Sequence, residues 1–183
     1  MSGVFLWWIG VDSPDEPTIE QVRTTIAEVF ELSVLRWRGA ARPADTLDVR
    51  RQQHHSTAIL RWLKTHRPRD AMKVLGITDV DLFIPVLTFV YGEAQLGGVC
   101  ALVSTARLGL VPGSPDGPAV SRLAKECIHE LGHTFGLVHC GTPSCVMSRS
   151  VNLAAVDGKQ AGLCRDCRLL YLERLPQQGY GHE

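Results

Sequence analysis

The chain has 183 residues, the size of a single domain that buries about 70% of the surface exposed by its unfolded form. Hydrophobic residues make up 45% of the sequence and charged residues 21%, a composition that excludes an intrinsically disordered protein. Nineteen Lys and Arg residues balance nineteen Asp and Glu residues, so the chain lacks the basic surface that predicts binding to nucleic acid or anionic lipid.

The amino-terminal segment MSGVFLWWIGVD is predicted to form the first β-strand. It is apolar, but it lacks the basic start and the small-residue cleavage site of a signal peptide. No segment contains the roughly eighteen consecutive apolar residues of a transmembrane helix. We therefore expect a cytoplasmic protein with no membrane partner.

Two amphipathic helices are predicted in the amino-terminal part of the chain. In residues 18–32 apolar side chains recur at helical spacing on one face: Ile19, Val22, Ile26, Val29 and Phe30. A short strand at residues 33–37 and a second helix at residues 49–66 follow. The adjacent His54 and His55 cannot share a helix face, so we expect both to be solvated surface residues.

The middle of the chain is rich in predicted strands. Four runs favour β-structure: residues 72–77, 82–87, 88–91 and 99–104. With the first strands and the two helices, this order predicts a mixed sheet covered by helices, which is an α+β fold. Pro118 is placed for the first turn of a third helix, where its missing N–H costs nothing. The polar tail, residues 176–183, is expected to fray.

The third helix carries the sequence HELGH, in which His129 and His133 lie one turn apart on the same face. Two imidazoles at that spacing converge on one metal ion. Glu130 is rotated by about 100° from His129, so its carboxylate reaches a water on the metal rather than the metal itself. This is the place of the general base in zinc hydrolases.

A glycine and a third histidine complete the pattern. Gly136 has no Cβ and adopts positive φ readily, so it is suited to end the helix and turn the chain back. His139 then approaches the metal from outside the helix. Three protein nitrogens leave the fourth position of a tetrahedral zinc open, which is typical of a catalytic site.

The alternative is that these are ordinary histidines of a core helix. The apolar residues of the segment form one stripe at spacings of three and four: Val120, Ala124, Cys127, Ile128, Leu131 and Phe135. His129 and His133 lie nearly opposite this stripe. They are therefore not expected in the core that the stripe faces.

Four of the six cysteines form two close pairs: Cys140 with Cys145, and Cys164 with Cys167. Four soft ligands in that arrangement predict a closed tetrahedral zinc site. Free thiols, or disulfides in an oxidising compartment, are the alternatives. Cys100 and Cys127 lie in apolar surroundings and are predicted to be core residues.

The run HELGHTFGLVHC, followed by GTPSCVM and CRDC, resembles the archaemetzincin family of metzincin zinc peptidases. The resemblance implies a zincin-like (metzincin) fold with a mixed twisted β-sheet, backing helices, an active-site helix and a small C-terminal zinc-stabilised subdomain. It also implies that Met147 is the Met-turn residue beneath the catalytic metal. A strand within residues 86–104 would bind an extended peptide at the edge of the sheet.

We expect a single catalytic domain over residues 1–183. Residues 1–136 would contain the sheet and the active-site helix, and residues 137–183 the four-cysteine site.

The predicted function is that of a zinc-dependent metallopeptidase with two zinc ions per chain, one catalytic and one structural. We expect a monomer that acts on a peptide or protein substrate, as an aminopeptidase or an endopeptidase. Tyr91, Arg149 and Tyr171 are equal candidates for an auxiliary catalytic residue. The alternatives are a non-catalytic zinc-stabilised binding module and a four-cysteine nucleic-acid-binding finger. The finger lacks a basic helix, so nucleic acid is not an expected partner.

Overall fold

The computed structural model of the protein describes residues 3–11, 15–110 and 117–175. The predicted tail lies outside the described residues. The elements follow in this order: β1 (Val4–Trp8), α1 (Glu16–Phe30), β2 (Val34–Trp37), β3 (Leu47–Asp48), β4 (Gln53–His55), α2 (Ser56–His66), β5 (Lys73–Thr78), β6 (Leu82–Phe83), β7 (Gly92–Ala94), β8 (Cys100–Ser104), α3 (Gly117–Thr134), α4 (Leu153–Gly158) and α5 (Arg165–Arg174). Within these ranges no helix has the length and apolarity needed to cross a bilayer.

The main sheet has five strands in the order β2-β1-β5-β8-β7. The first four strands are parallel to one another, and β7 runs antiparallel to β8 at one edge. A smaller sheet contains β3, β4 and β6. The mixed sheet with covering helices confirms the predicted α+β class.

Both faces of the central strands β1, β5 and β8 are buried, and alternate residues of each strand point to opposite sides of the sheet. Leu6 and Leu75 belong to the core that the sheet shares with α1 and α3. Phe5, Trp7 and Val74 belong to a second core, which α2 covers. The sheet is therefore sandwiched between two helical layers, and α3 lies in the first of them.

The second helix begins later than predicted. Residues 53–55 form β4, which pairs with β3 and β6, and α2 starts only at Ser56. His54 is consequently buried, with its Nδ1 2.8 Å from Thr46 Oγ1. The half-buried ring of His55 packs on Phe83. The prediction that both histidines are solvated was therefore wrong.

The strands around residue 85 are shorter than predicted. β6 ends at Phe83, shortly before Pro85, which has no N–H to donate to a ladder. Residues 88–91 contribute a single bridge, from Val90 to Leu82, in place of the predicted strand. The following residues 92–94 form the edge strand β7 instead.

Helix α4 was not predicted. It begins after Asn152, whose side chain accepts a hydrogen bond from the N–H of Ala155 at 2.9 Å. With only six residues, α4 is too short to show a helical period in the sequence.

Candidate metal centres

Helix α3 is covered on two sides. The predicted apolar stripe is buried against the sheet and α1. The opposite side is buried as well, since His129 is only 5% exposed and Glu130 7% exposed. The segment around Val146 covers this second side, and its carbonyl oxygen lies 2.8 Å from His129 Nδ1. His129 therefore lies opposite the stripe, as predicted, and yet is shielded from solvent.

Gly136 ends α3 as predicted. Its φ of 86° is left-handed, and its N–H donates to His133 O at 2.9 Å while the N–H of Leu137 donates to Gly132 O at 3.0 Å. This pair of bonds is a Schellman motif, in which glycine is favoured because it has no Cβ. The side chain of Arg174 also donates to Gly136 O. The turn brings the chain back toward the helix that it has just left.

The structure brings the three predicted histidine ligands together. One imidazole nitrogen from each of His129, His133 and His139 lies within 4.8 Å of the other two. The first two come from successive turns of α3, and His139 follows the Gly136 turn. His129 is buried, His133 half-buried and His139 exposed, so the cluster opens to solvent on the side of His139.

The hydrogen bonds of two rings fix their tautomers. His129 Nδ1 lies 2.8 Å from Val146 O and His133 Nδ1 lies 2.7 Å from Leu137 O. Because a carbonyl only accepts, both Nδ1 atoms carry the proton, and in the neutral rings both Nε2 atoms carry a lone pair. Those two Nε2 atoms are 3.2 Å apart. Two facing lone pairs at that distance fit a cation placed between them.

Burial sets the protonation of the site. It lowers the pKa of all three imidazoles, so they favour the neutral form that binds metals. For the Glu130 carboxyl, burial raises the pKa well above its ordinary value, and the Glu126 and Glu93 carboxylates raise it further. Glu130 therefore has a high affinity for a proton, which suits a general base.

Glu130 packs against the backbone of the edge strand. A Cβ on Gly92 would lie 2.6 Å from Glu130 Cγ and 2.5 Å from Leu102 O. Both distances are shorter than any normal contact. Only glycine lets β7 approach α3 this closely. The sequence reasoning missed Gly92, because no local pattern shows which glycine meets a residue 38 positions later.

The first prediction concerns this contact. Gly92→Ala is expected to lower the peptidase rate about 10- to 100-fold, because the added methyl displaces either Glu130 or β7, and small misplacements are costly in catalysis. Turnover of a peptide substrate and circular dichroism would be measured together. Gly158→Ala is the control, since a Cβ there meets nothing within 4 Å. Unchanged turnover in Gly92→Ala would contradict the prediction.

A cleft of about 440 Å³ lies over the histidines and Glu130. Residues 87–92 form one wall, and Arg149, Ser150 and Val151 form the other. Of the three candidates for an auxiliary role, Tyr91 and Arg149 line this cleft. Tyr171 does not serve there, because it is fully buried and its hydroxyl donates to Phe30 O at 2.6 Å.

Met147 lies on the backbone of α3 between the two helix histidines. It is fully buried, and a Cβ on Gly132 would lie 2.4 Å from its Sδ. The side chain thus fills the space next to the turn that carries His133. This is the neighbourhood that the resemblance implies for the Met-turn.

The four predicted cysteine ligands form a second cluster. The sulfur atoms of Cys140, Cys145, Cys164 and Cys167 lie within 4.8 Å of one another, and all four are free thiols. Cys140 Sγ and Cys164 Sγ are 3.8 Å apart. Four sulfurs at this spacing fit one tetrahedral zinc.

Backbone N–H groups point at the sulfurs. The N–H of Thr142 donates to Cys140 Sγ and that of Cys164 to Cys145 Sγ, both at 3.4 Å. The backbone N–H of Cys167 is the main cause that lowers the pKa of the Cys164 thiol to about 7. Hydrogen bonds to the charged form favour the thiolate of Cys164, which is the form that binds zinc, whereas burial raises the pKa of the Cys145 and Cys167 thiols.

The remaining two cysteines are core residues, as predicted. Cys100 and Cys127 are fully buried. Burial raises the pKa of Cys100 to about 11 and that of Cys127 well above its ordinary value. Both thiols therefore stay protonated.

Sequence reasoning also missed a buried ion pair behind the site. Lys159 Nζ lies 3.2 Å from Glu126 Oε1. Glu126 precedes Glu130 by four residues on the same helix face and lines the cleft. The four-residue spacing from Glu130 could have identified Glu126 as a residue of the site, whereas nothing in the sequence indicated Lys159.

Comparisons with known proteins show to which family the chain is similar. Residues 42–174 match peptidase family M54, a range that contains both clusters. An archaemetzincin from Methanopyrus kandleri is 46% identical over 108 residues, which are 58% of this chain and 59% of that protein. One from Archaeoglobus fulgidus is 33% identical over 156 residues, covering 85% of this chain and 91% of the relative. The crystal structure of the Methanopyrus kandleri archaemetzincin superposes with a TM-score of 0.84 at 34% identity and covers 95% of each chain.

Proposed function

Because the chain belongs to peptidase family M54, the archaemetzincins, and is thus a zinc-dependent metallopeptidase, we propose that its three clustered histidines hold the catalytic zinc and that Glu130 is the general base. The observation that carries this assignment is the distance of 3.2 Å between His129 Nε2 and His133 Nε2, in rings that line the cleft. When bound, zinc supplies a Lewis acid that polarises a carbonyl and makes water acidic near pH 7.

The chain's own residues then position the reactants and transfer the proton. Glu130 takes a proton from water as the water oxygen bonds to the scissile carbonyl carbon, and it passes that proton to the leaving amine as the C–N bond breaks. Its burial supports the first of these steps, since a shielded carboxyl has a high affinity for the proton that it must take from water and hold until the amine leaves.

The substrate is a peptide, and the cleft indicates how it would lie. Residues 87–92 form one wall of the cleft and lead directly into the edge strand β7. We propose that this segment, within the predicted range 86–104, pairs with the backbone of an extended substrate. Tyr91 and Arg149 are the candidates for contacts to the reacting group.

A second zinc in the four-cysteine cluster is proposed to organise residues 137–183 as a subdomain of the single domain. Support comes from the core, which Cys145, Met147 and Cys167 share with residues of the sheet. Free cysteines at this site also favour a reducing compartment such as the cytoplasm. The neutral composition favours the lack of a nucleic-acid partner. That expectation and the monomeric state belong to the same proposal.

The second prediction tests the metal content. Protein purified without chelator is expected to contain two zinc ions per chain by elemental analysis, because the two ligand clusters are separate. The histidine site should lose its zinc to a chelator faster, since three ligands hold it instead of four and His139 is exposed. One zinc per chain, or a disulfide among the four cysteines, would contradict the prediction.

The activity itself is tested on a diverse peptide mixture analysed by mass spectrometry. Cleavage that disappears with chelator and returns with zinc supports the assignment. The positions of the cuts distinguish an aminopeptidase, which removes terminal residues, from an endopeptidase, which cuts inside the peptides.

A further inference from the structure

A buried ion pair lies directly behind the first histidine. The side chains of Lys159 and Glu126 are 0% and 3% exposed, and Ser150 Oγ donates to the same Glu126 oxygen that faces the ammonium, at 3.2 Å. Replacing a buried ion pair by apolar residues often leaves stability unchanged or higher. Stability alone therefore does not explain why the Lys159 and Glu126 charges are buried at this position.

The ammonium of Lys159 also contacts the carbonyl oxygen that orients His129. Lys159 Nζ lies 3.2 Å from Val146 O, and His129 Nδ1 lies 2.8 Å from the same oxygen. A carbonyl oxygen has two lone pairs and can accept both donors. The N–H of Val146 donates to Gly162 O at 3.1 Å, so the residue that receives His129 is held at both its backbone nitrogen and its backbone oxygen.

The backbone fixes the position of Lys159. It is the C-cap residue that follows α4, and its N–H donates to Val156 O at 3.3 Å. The next residue, Gln160, donates its N–H to Ser144 O at 2.9 Å. Two successive backbone hydrogen bonds therefore hold the segment that carries the ammonium.

We propose that Lys159 is a positioning residue for His129. Its charge, balanced by Glu126, holds the Val146 carbonyl in place, and that carbonyl aims His129 Nε2 at the metal position. This inference rests on the proposed function, because it takes His129 as a zinc ligand. Residues that orient a metal-binding histidine without binding the metal themselves commonly affect metal affinity in this way.

The chain offers a matched control in Lys125. This lysine is also buried and also connects α3 with α4, but it donates to the carbonyl oxygens of Val156 and Asp157, each at 3.2 Å. Lys125→Met and Lys159→Met thus each remove one buried ammonium between the same two helices. Only Lys159→Met removes the contact to Val146.

The experiment is a competitive chelator titration of zinc at the histidine site, identified by its loss in His133→Ala. Lys159→Met is expected to weaken zinc binding there about 10- to 100-fold. The zinc affinity of Lys125→Met should stay within about threefold of the wild type, even if this substitution lowers thermal stability as much as Lys159→Met does. Equal zinc affinity in Lys159→Met and the wild type, or equal loss in both variants, would overturn the proposal.

The proposal can be tested even if the Lys159→Met protein does not fold. If Lys159→Met fails to fold, the double variant Glu126→Gln/Lys159→Met removes both buried charges and takes its place, with the same expected loss. Failure of the proposed function is distinguishable, since wild-type protein would then hold no zinc that His133→Ala abolishes. If the wild type holds that zinc and the lysine variants bind it equally, only the positioning role is wrong.

Discussion

Glu130→Ala is expected to lower the peptidase rate by about 10²–10⁴-fold while leaving the fold and the zinc content unchanged. The loss follows from removing the group that takes the proton from water and delivers it to the leaving amine. Zinc content should persist because the histidine nitrogens make the cluster without this carboxylate. Peptide turnover and elemental analysis of the same preparation check both statements.

Glu130→Gln sharpens this test. Glutamine keeps the size of the side chain that packs against Gly92, so the close contact with β7 is preserved and only basicity is lost. A rate that falls equally in both variants assigns the loss to proton transfer. Retained activity in a zinc-replete Glu130→Gln protein would refute the role of Glu130 as the base. A wild-type protein that hydrolyses no peptide, together with unchanged peptide binding in Glu130→Ala, would favour a binding module instead.

Cys164→Ser is expected to weaken zinc binding at the histidine site by about tenfold or more, although Cys164 is not one of its ligands. The reason is the adjacency of His139 and Cys140 in the chain, where neighbouring residues reach different clusters. Structural zinc contributes an apparent ~10–16 kcal/mol in small zinc peptides, which is comparable to the whole stability of a domain. Without it, the segment that presents His139 should loosen.

The reverse effect should be small. His139→Ala is expected to leave the four-cysteine zinc largely in place, because that zinc itself orders the loop of Cys140 and Cys145. His129 and His133, by contrast, are held by α3. Competitive chelator titrations of both variants would show this asymmetry. Cys100→Ala is a suitable control, since it removes a buried thiol outside both clusters. Unchanged affinity at the histidine site in folded Cys164→Ser would show that the two sites are independent.

The parts of the site that could be predicted are those set by short sequence separations. His129 and His133 share a helix face because of their spacing, and Gly136 ends that helix because its conformation allows it. The helix α1 was predicted for the same reason, from a period that one element shows by itself. The two cysteine pairs belong to the same class of local signal.

What the sequence could not indicate depends on distant partners. Residues 53–55 are a strand because β6, almost thirty residues later, pairs with them. Before that partner is known, the segment is hard to distinguish from the start of a helix. The same limit applies to Gly92 and to Lys159, whose roles arise from contacts with residues of α3. The fold also separated Tyr171 from Tyr91, which were equal candidates until their positions were known.

Three consecutive residues, Cys145, Val146 and Met147, each serve a different neighbour. The thiol of the first joins the cysteine cluster, the carbonyl of the second accepts from His129, and the sulfur of the third lies against Gly132. An inserted or deleted residue between Cys145 and Met147 shifts at least one of these groups by up to about 3.3–3.6 Å, the most that one residue adds to the length of a chain. The length of this tripeptide therefore has almost no freedom to change.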